Sequence, residues 1–297
     1  MLHRSEAGDW EFVTAKHRLS RTMHGSQPGM TLTVDPSSRY MAVGGTAGVM
    51  VIYSLHSWAE LNEQYLHKQP LRPIKHAKYF VLEGYIHKME FLFPSPDDEE
   101  HVILLLLLVR KATTRMMLYE WTRHQDLQTI FPHHRRGHQL AKPRHLPLLL
   151  IPLTIRSSFI LISETSLAVC KDIMIGQPKF EDFFSAVDPP TSFHHGLGNP
   201  LWTAWARPVR LPYHTDNNDD IFIIREDGFL RCLEIHTEDD LIKADIHIGS
   251  LKTNCGTALA SLDYTVGGSK TGDYLITNGD SGAGAAYLVS IFVNSPT

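Results

Sequence analysis

The chain has 297 residues, 43% of them hydrophobic and 20% charged, a globular composition that excludes disorder along its whole length. Its 28 Lys and Arg stand against 32 Asp and Glu, a net charge of -4 that excludes a generally basic nucleic-acid binder but leaves room for a local basic patch. Three cysteines (Cys170, Cys232, Cys255) are too few and too scattered for a disulfide framework, and no C-x-x-C spacing offers a zinc site, so a reducing compartment, cytosol or nucleus, is expected.

In chain order the pattern is all-β. The opening MLHRSEAGDWEF has no apolar stretch of signal-peptide length. Met30–Val34, Arg39–Val43 and Val49–Leu55 read as strands, separated by the turn Asp35-Pro36-Ser37-Ser38 and the glycine-rich 44–48. Ser57–Leu66, SWAELNEQYL, is the best short helix. Strands follow at Lys78–Leu82, Tyr85–Phe93, Val102–Val109 and Arg115–Thr122. The run VILLLLLV at Val102–Val109 is far short of the about 20 residues a bilayer-crossing helix needs, so it and Leu146–Leu153 are expected as buried strands of a soluble chain. Phe159–Ser163, Ser166–Cys170 and Trp202–Ala206 come next, with a helical turn expected at Lys179–Val187. Ile221–Arg225 and Phe229–Ile235 form a hairpin around Glu226-Asp227-Gly228. Ala258–Tyr264, Tyr274–Thr277 and Ala285–Val293 close the series.

These strands fall into groups spaced by about 40–50 residues, the period of a propeller blade. The expected fold is an incomplete or degenerate β-propeller, WD40-like but without WD signatures, of roughly four to six four-stranded antiparallel blades. Residues 1–297 are read as a single, partial propeller region. Exposed insertions are expected at 131–145 and 188–199, and an acidic loop at 214–220.

No catalytic constellation is legible. Gly279-Asp280-Ser281-Gly282 imitates the surroundings of a serine nucleophile, but no Ala-His-Cys segment lies upstream to supply the general base, and Ala283 breaks the usual continuation. Gly279, Gly282 and Gly284 imitate a dinucleotide loop, but the following Ala285–Val293 reads as a strand where that loop needs a helix. His133, His134, His138 and His145 lie within thirteen residues, without the Cys or acidic ligands of a metal site, and are read as solvated. Glu164 and Asp263 are scattered acids without spacing logic. No cofactor and no metal is therefore expected. Arg135, Arg136, Lys142 and Arg144 are the one basic cluster; they are either a solvated loop or a contact for phosphates. Trp202 and Trp205 are either packing residues or anchors for a partner.

Four motifs in order carry a resemblance. Val34-Asp35-Pro36-Ser37-Ser38-Arg39-Tyr40-Met41-Ala42-Val43 is continued by Gly48-Val49-Met50-Val51-Ile52-Tyr53. Met117-Leu118-Tyr119-Glu120-Trp121, the Ile221–Ile235 hairpin and Tyr274–Val289 follow. Together they resemble the first propeller of the family of damage-specific DNA-binding protein 1, the cleavage-and-polyadenylation factor large subunit and splicing factor 3b. The divergent pattern points to a fungal-type member, and the chain reads as a piece of a longer protein, lacking the opening blade and closing strands. The resemblance implies a non-enzymatic scaffold for protein–protein interaction in a nuclear complex, serving DNA repair or chromatin as a ubiquitin-ligase adaptor, or pre-mRNA 3′ processing or splicing. It implies protein subunits as partners, no membrane and no small-molecule substrate. Nucleic-acid contact through the basic loop stays open. The family's cullin contact lies on another propeller, so this chain is expected not to bind a cullin. The alternatives are a propeller hydrolase or lyase with a central-channel site, and a truncated product without independent function.

Overall fold

The computed structural model describes residues 2–4, 10–12, 31–45, 48–67, 74–95, 97–98, 100–131, 137–154, 157–164, 166–171, 173–174, 179–183, 201–207, 218–225, 229–236, 241–250, 259–266, 269–278 and 286–291. They divide into two compact units, Met1–Leu92 with Glu100–Lys142, and Phe93–Glu99 with Pro143–Thr297.

The first unit opens with the paired strands β1 (Leu2–Arg4) and β2 (Trp10–Phe12). A four-stranded antiparallel sheet follows in chain order: β3 (Thr31–Val34), β4 (Tyr40–Gly44), β5 (Val49–Ser54) and β6 (Lys75–Val81). The helix α1 (Trp58–Leu66) sits between β5 and β6. Ser57 and Glu60 start it with a reciprocal capping box, the arrangement that S-x-x-E encodes. A second four-stranded sheet holds β7 (Tyr85–Leu92), β8 (His101–Arg110), β9 (Thr113–Thr122) and β10 (His138–Gln139), with α2 (Leu127–Ile130) before β10. The first strands of the two sheets, β3 and β7, lie together, where Thr33 Oγ1 donates to Glu90 Oε2 at 2.9 Å.

Alternate residues of both sheets meet in one core. Ala42, Met50, Ile52 and Phe80 come from the first sheet, Met89, Leu104, Leu106, Tyr119 and Trp121 from the second. Edge-to-face rings fasten it, Phe80 to Tyr119 at 5.1 Å and Tyr40 to Trp121 at 5.5 Å between centroids. The alternate residues Ile103, Leu105, Leu107 and Val109 point to the opposite face and are buried as well, Leu105 and Leu107 at 0% exposure. A strand covered on both faces needs no alternation, which explains the unbroken apolar run.

Turns in this unit follow local chemistry. The Asp35 carboxylate accepts from the Ser37 hydroxyl and from the Arg39 amide at 3.4 Å, while Ser38 takes a left-handed φ of 57°. Gly48 has φ 71°, and a Cβ there would collide with the carbonyl oxygens of Leu82 and Gly84, so the β4–β5 turn tolerates only glycine against the β6–β7 link. Gln128 of α2 covers the outer edge of β6: its Nε2 donates to the Ala77 carbonyl at 2.6 Å, and its Oε1 accepts from Lys78 Nζ at 3.2 Å.

The second unit has two four-stranded sheets and one of three strands, all antiparallel and in chain order. The first contains β11 (Leu149–Pro152), β12 (Phe159–Ile162), β13 (Leu167–Lys171) and β14 (Lys179–Phe183). The second contains β15 (Trp202–Ala206), β16 (Asn218–Arg225), β17 (Phe229–His236) and β18 (Leu241–Ser250). The third contains β19 (Leu259–Val266), β20 (Ser269–Asn278) and β21 (Ala286–Ile291). Here too the first strands neighbour one another, β11 beside β15 and β15 beside β19. Ile151, Ile160, Ile162 and Val169 face Trp202, Ile221, Ile223 and Leu233 in the principal core.

The structure departs from the sequence-based expectations at several points. Lys179–Phe183, expected as a helical turn, is the strand β14, because pairing satisfies the outer backbone groups of β13, a demand that outweighs local propensity. Part of the insertion at 131–145 is not a loop: His138 and Gln139 pair with Leu118 and Met117, Leu140 is buried, and Phe131 joins the core. Asn218–Asp220, placed in an acidic loop, begins β16. The turn at 226–228, the glycines at 279–284 and the insertion at 188–199 lie outside the described residues. The segment after those glycines is the strand β21, as expected.

Candidate interaction surface

One polar cluster in the second unit is built with more care than a loop requires. It lies where the β11–β12 turn, the end of β15 and the start of β16 converge. Arg207 Nε donates to Asp219 Oδ1 at 2.6 Å, and Arg207 Nη2 donates to Asp219 Oδ2 at 3.1 Å, a bidentate pair. Arg207 Nη2 also donates to the Pro152 carbonyl. Asp219 Oδ2 accepts from the Thr154 amide at 3.0 Å and the Thr154 hydroxyl at 3.1 Å. The guanidinium carbon of Arg207 lies 5.2 Å from the centroid of the Phe93 ring and 5.7 Å from that of Trp205. Phe93 is itself tied down, its carbonyl accepting from Ser157 N–H at 3.1 Å. The Asp219 side chain is 2% exposed and that of Arg207 19%, so the carboxylate is sealed while the Arg207 side chain is partly exposed.

The sequence-based candidates differ in how they are placed. Trp205 is half-buried, packs against the same core as Trp202 and borders the cluster, while Trp202 is 3% exposed and lies within that core. Arg225 stacks on both the Trp202 ring at 5.5 Å and the Phe229 ring at 4.3 Å, so the indole of Trp202 is committed to packing. Lys142 and Arg144 are exposed on the segment that follows β10, and Arg135 and Arg136 lie outside the described residues. His138 and His145 are exposed, and among the described residues no group of three His, Cys, Asp or Glu side chains converges for a metal ion. Glu164 is exposed, His133 and His134 lie outside the described residues, and nothing is described of the Asp263 side chain. Cys170 is 0% exposed and burial pushes its thiol up to about 12, the opposite of an activated nucleophile.

Arg207, Asp219 and Thr154 carry no sequence signal. Asp219 sits in HTDNNDD among equivalent acids, and nothing in Arg207 or Thr154 forecasts that three separated turns meet. No helix among the described residues is long and apolar enough to cross a membrane.

No curated protein matches the chain. The family model described as the RSE1/DDB1/CPSF1 first beta-propeller matches residues 3–292, and its fold agrees with the in-order antiparallel sheets above, an all-β, incomplete propeller. The chain therefore belongs to the RSE1/DDB1/CPSF1 first beta-propeller family.

Proposed function

We propose that this chain is a non-enzymatic scaffold that holds protein subunits together in a nuclear complex, of the kind that serves DNA repair or chromatin as a ubiquitin-ligase adaptor, or pre-mRNA 3′ processing or splicing. The observation that carries this reading is the family match over residues 3–292. The architecture is consistent with it: central strands such as β8 are buried on both faces, leaving turns and strand ends to make contacts. The exposed Lys142 and Arg144 add a secondary role in phosphate contact.

The test is affinity purification of the tagged chain from nuclear extract, with the co-purifying proteins identified and quantified. Subunits of one such complex, recovered in fixed proportion to the bait and resistant to nuclease, are the expected result. A chain recovered alone, or found outside the nucleus, would contradict it. If the basic segment contacts nucleic acid, replacing Lys142 and Arg144 by Ala weakens RNA or DNA retention in a filter assay and flattens its salt dependence.

A further inference from the structure

We propose that Thr113, at the tip of the β8–β9 hairpin, is a phosphorylation site for a basophilic serine/threonine kinase, one whose cleft reads cations ahead of the hydroxyl. The threonine hydroxyl oxygen attacks the γ-phosphorus of ATP, the bond from that phosphorus to the bridging oxygen breaks, and ADP leaves. The hydroxyl proton passes to the catalytic carboxylate of the kinase. The site belongs to the hairpin alone and does not depend on the scaffold reading above.

The tip reads Arg110-Lys111-Ala112-Thr113-Thr114-Arg115. Cations three and two residues before a hydroxyl are the charge pattern that acidic side chains in such a cleft recognise. Arg110, Lys111, Ala112 and Thr113 are all exposed, so both cations and the acceptor are reachable together. Thr114 is 8% exposed, so only one of the two adjacent hydroxyls is presented. Thr113 Oγ1 donates to the Arg110 carbonyl at 2.6 Å, an exposed hydrogen bond that water replaces when the tip opens. Opening costs little there, because Lys111 and Ala112 hold left-handed φ values of 46° and 61°, which residues other than glycine and asparagine disfavour. The tip can thus take the extended form that a kinase cleft holds while the buried strands behind it stay paired.

The surroundings also suit the product. Arg110 is the cross-strand partner of Thr113, and Arg115 lies two residues further along β9, so all three share one face of the hairpin. A phosphate carrying a charge of about -1.5 to -2 on Thr113 meets arginines there, and no acid lies within residues 110–115 to repel it. Arg110 Nη1 is held by Glu83 Oε2 at 2.8 Å, but the two side chains are 48% and 51% exposed. An ion pair that exposed is weak, and Arg110 is free to exchange it for a doubly charged phosphate.

The test is incubation of the complete 297-residue chain with ATP and the catalytic subunit of cyclic-AMP-dependent protein kinase, a basophilic enzyme, with the phosphate located by mass spectrometry. Phosphate on Thr113 is expected. Its rate of incorporation should fall at least about tenfold when Arg110→Ala and Lys111→Ala are combined. Thr113→Val should remove that label and Thr113→Ser should keep it. An acidophilic kinase given the same chain should leave Thr113 unmodified. Phosphate on Thr114 or elsewhere but not on Thr113 overturns the proposal, as does a Thr113 rate indifferent to the loss of both cations. A chain that takes up no phosphate overturns it too, and because that reading is made on the parent chain it does not hang on how any variant folds.

Discussion

Removing the Asp219 carboxylate leaves the Arg207 guanidinium, 19% exposed, without its counter-charge, and strands the two Thr154 donors. Asp219→Ala is therefore expected to lower unfolding stability by about 3 kcal/mol, seen as a lower urea midpoint, with Asp219→Asn costing less because one acceptor survives. The opposite sign is expected at the β8–β9 hairpin tip. Lys111 and Ala112 both take left-handed φ values, 46° and 61°, where glycine or asparagine would sit without strain. Ala112→Gly should raise stability by up to about 1 kcal/mol in the same measurement. Titration provides a third residue-scale expectation. Burial raises the Cys170 thiol from 9.0 to about 12, and burial also raises Tyr40, Tyr53 and Tyr119 above 10.0. Each of these groups binds its proton more tightly folded than unfolded. Their contribution is therefore complete below the unfolded values and is lost as pH climbs from 9.0 towards the folded values. Lys88, lowered from 10.5 by burial, works in the other direction, one group against four among the described residues. The melting temperature should fall from about pH 9 upward, less so in Cys170→Ala. Native Cys170 should also resist alkylation at pH 8 until the chain unfolds.

At the scale of elements, the burial of β8 on both faces makes it the costliest place to delete volume. Leu106, 0% exposed, has no route to solvent, and Leu106→Ala should cost about 2–5 kcal/mol by denaturant unfolding. Most strands were legible because their own residues are apolar or β-branched and bounded by Gly, Pro, Asp or Ser: β4, β5, β8, β12 and β17 stand within a residue or two of their sequence-based bounds. The strands that were not legible owe their existence to a neighbour. β10 spans only His138–Gln139 and is strand solely because β9 offers it an edge. β14 reads locally as a polar helical turn, and β18 hides its pairing behind Lys243, Asp245 and His247. The helix α1 was legible over Ser57–Leu66, one residue more than the helix itself, because Ser57 is the cap that S-x-x-E closes. The short α2 was not, although Asp126 caps it in a similar way, since four residues carry no periodicity.

At the scale of the whole chain, family membership was legible through four motifs that are largely structural: a turn, a strand end and two hairpins. The candidate site was not legible, because Arg207, Asp219, Thr154 and Phe93 come from segments brought together only by blade stacking within their unit. Of the two tryptophans singled out, spacing could not separate the fully buried one from the half-buried one beside the cluster; that distinction rests on how the strands pack around each ring. The account as a whole rests on sheets that act as a rigid frame and expose their contacts at turns. Hydrogen–deuterium exchange of the complete chain tests that claim most directly. The slowest amides are predicted at Leu104–Leu107 of β8 and Ile160–Ile162 of β12, and fast exchange is predicted in α1, whose side chains are largely exposed, and in 141–146. Exchange in β8 as fast as in α1 would contradict the account, since a frame that opens that readily could not hold other subunits in place.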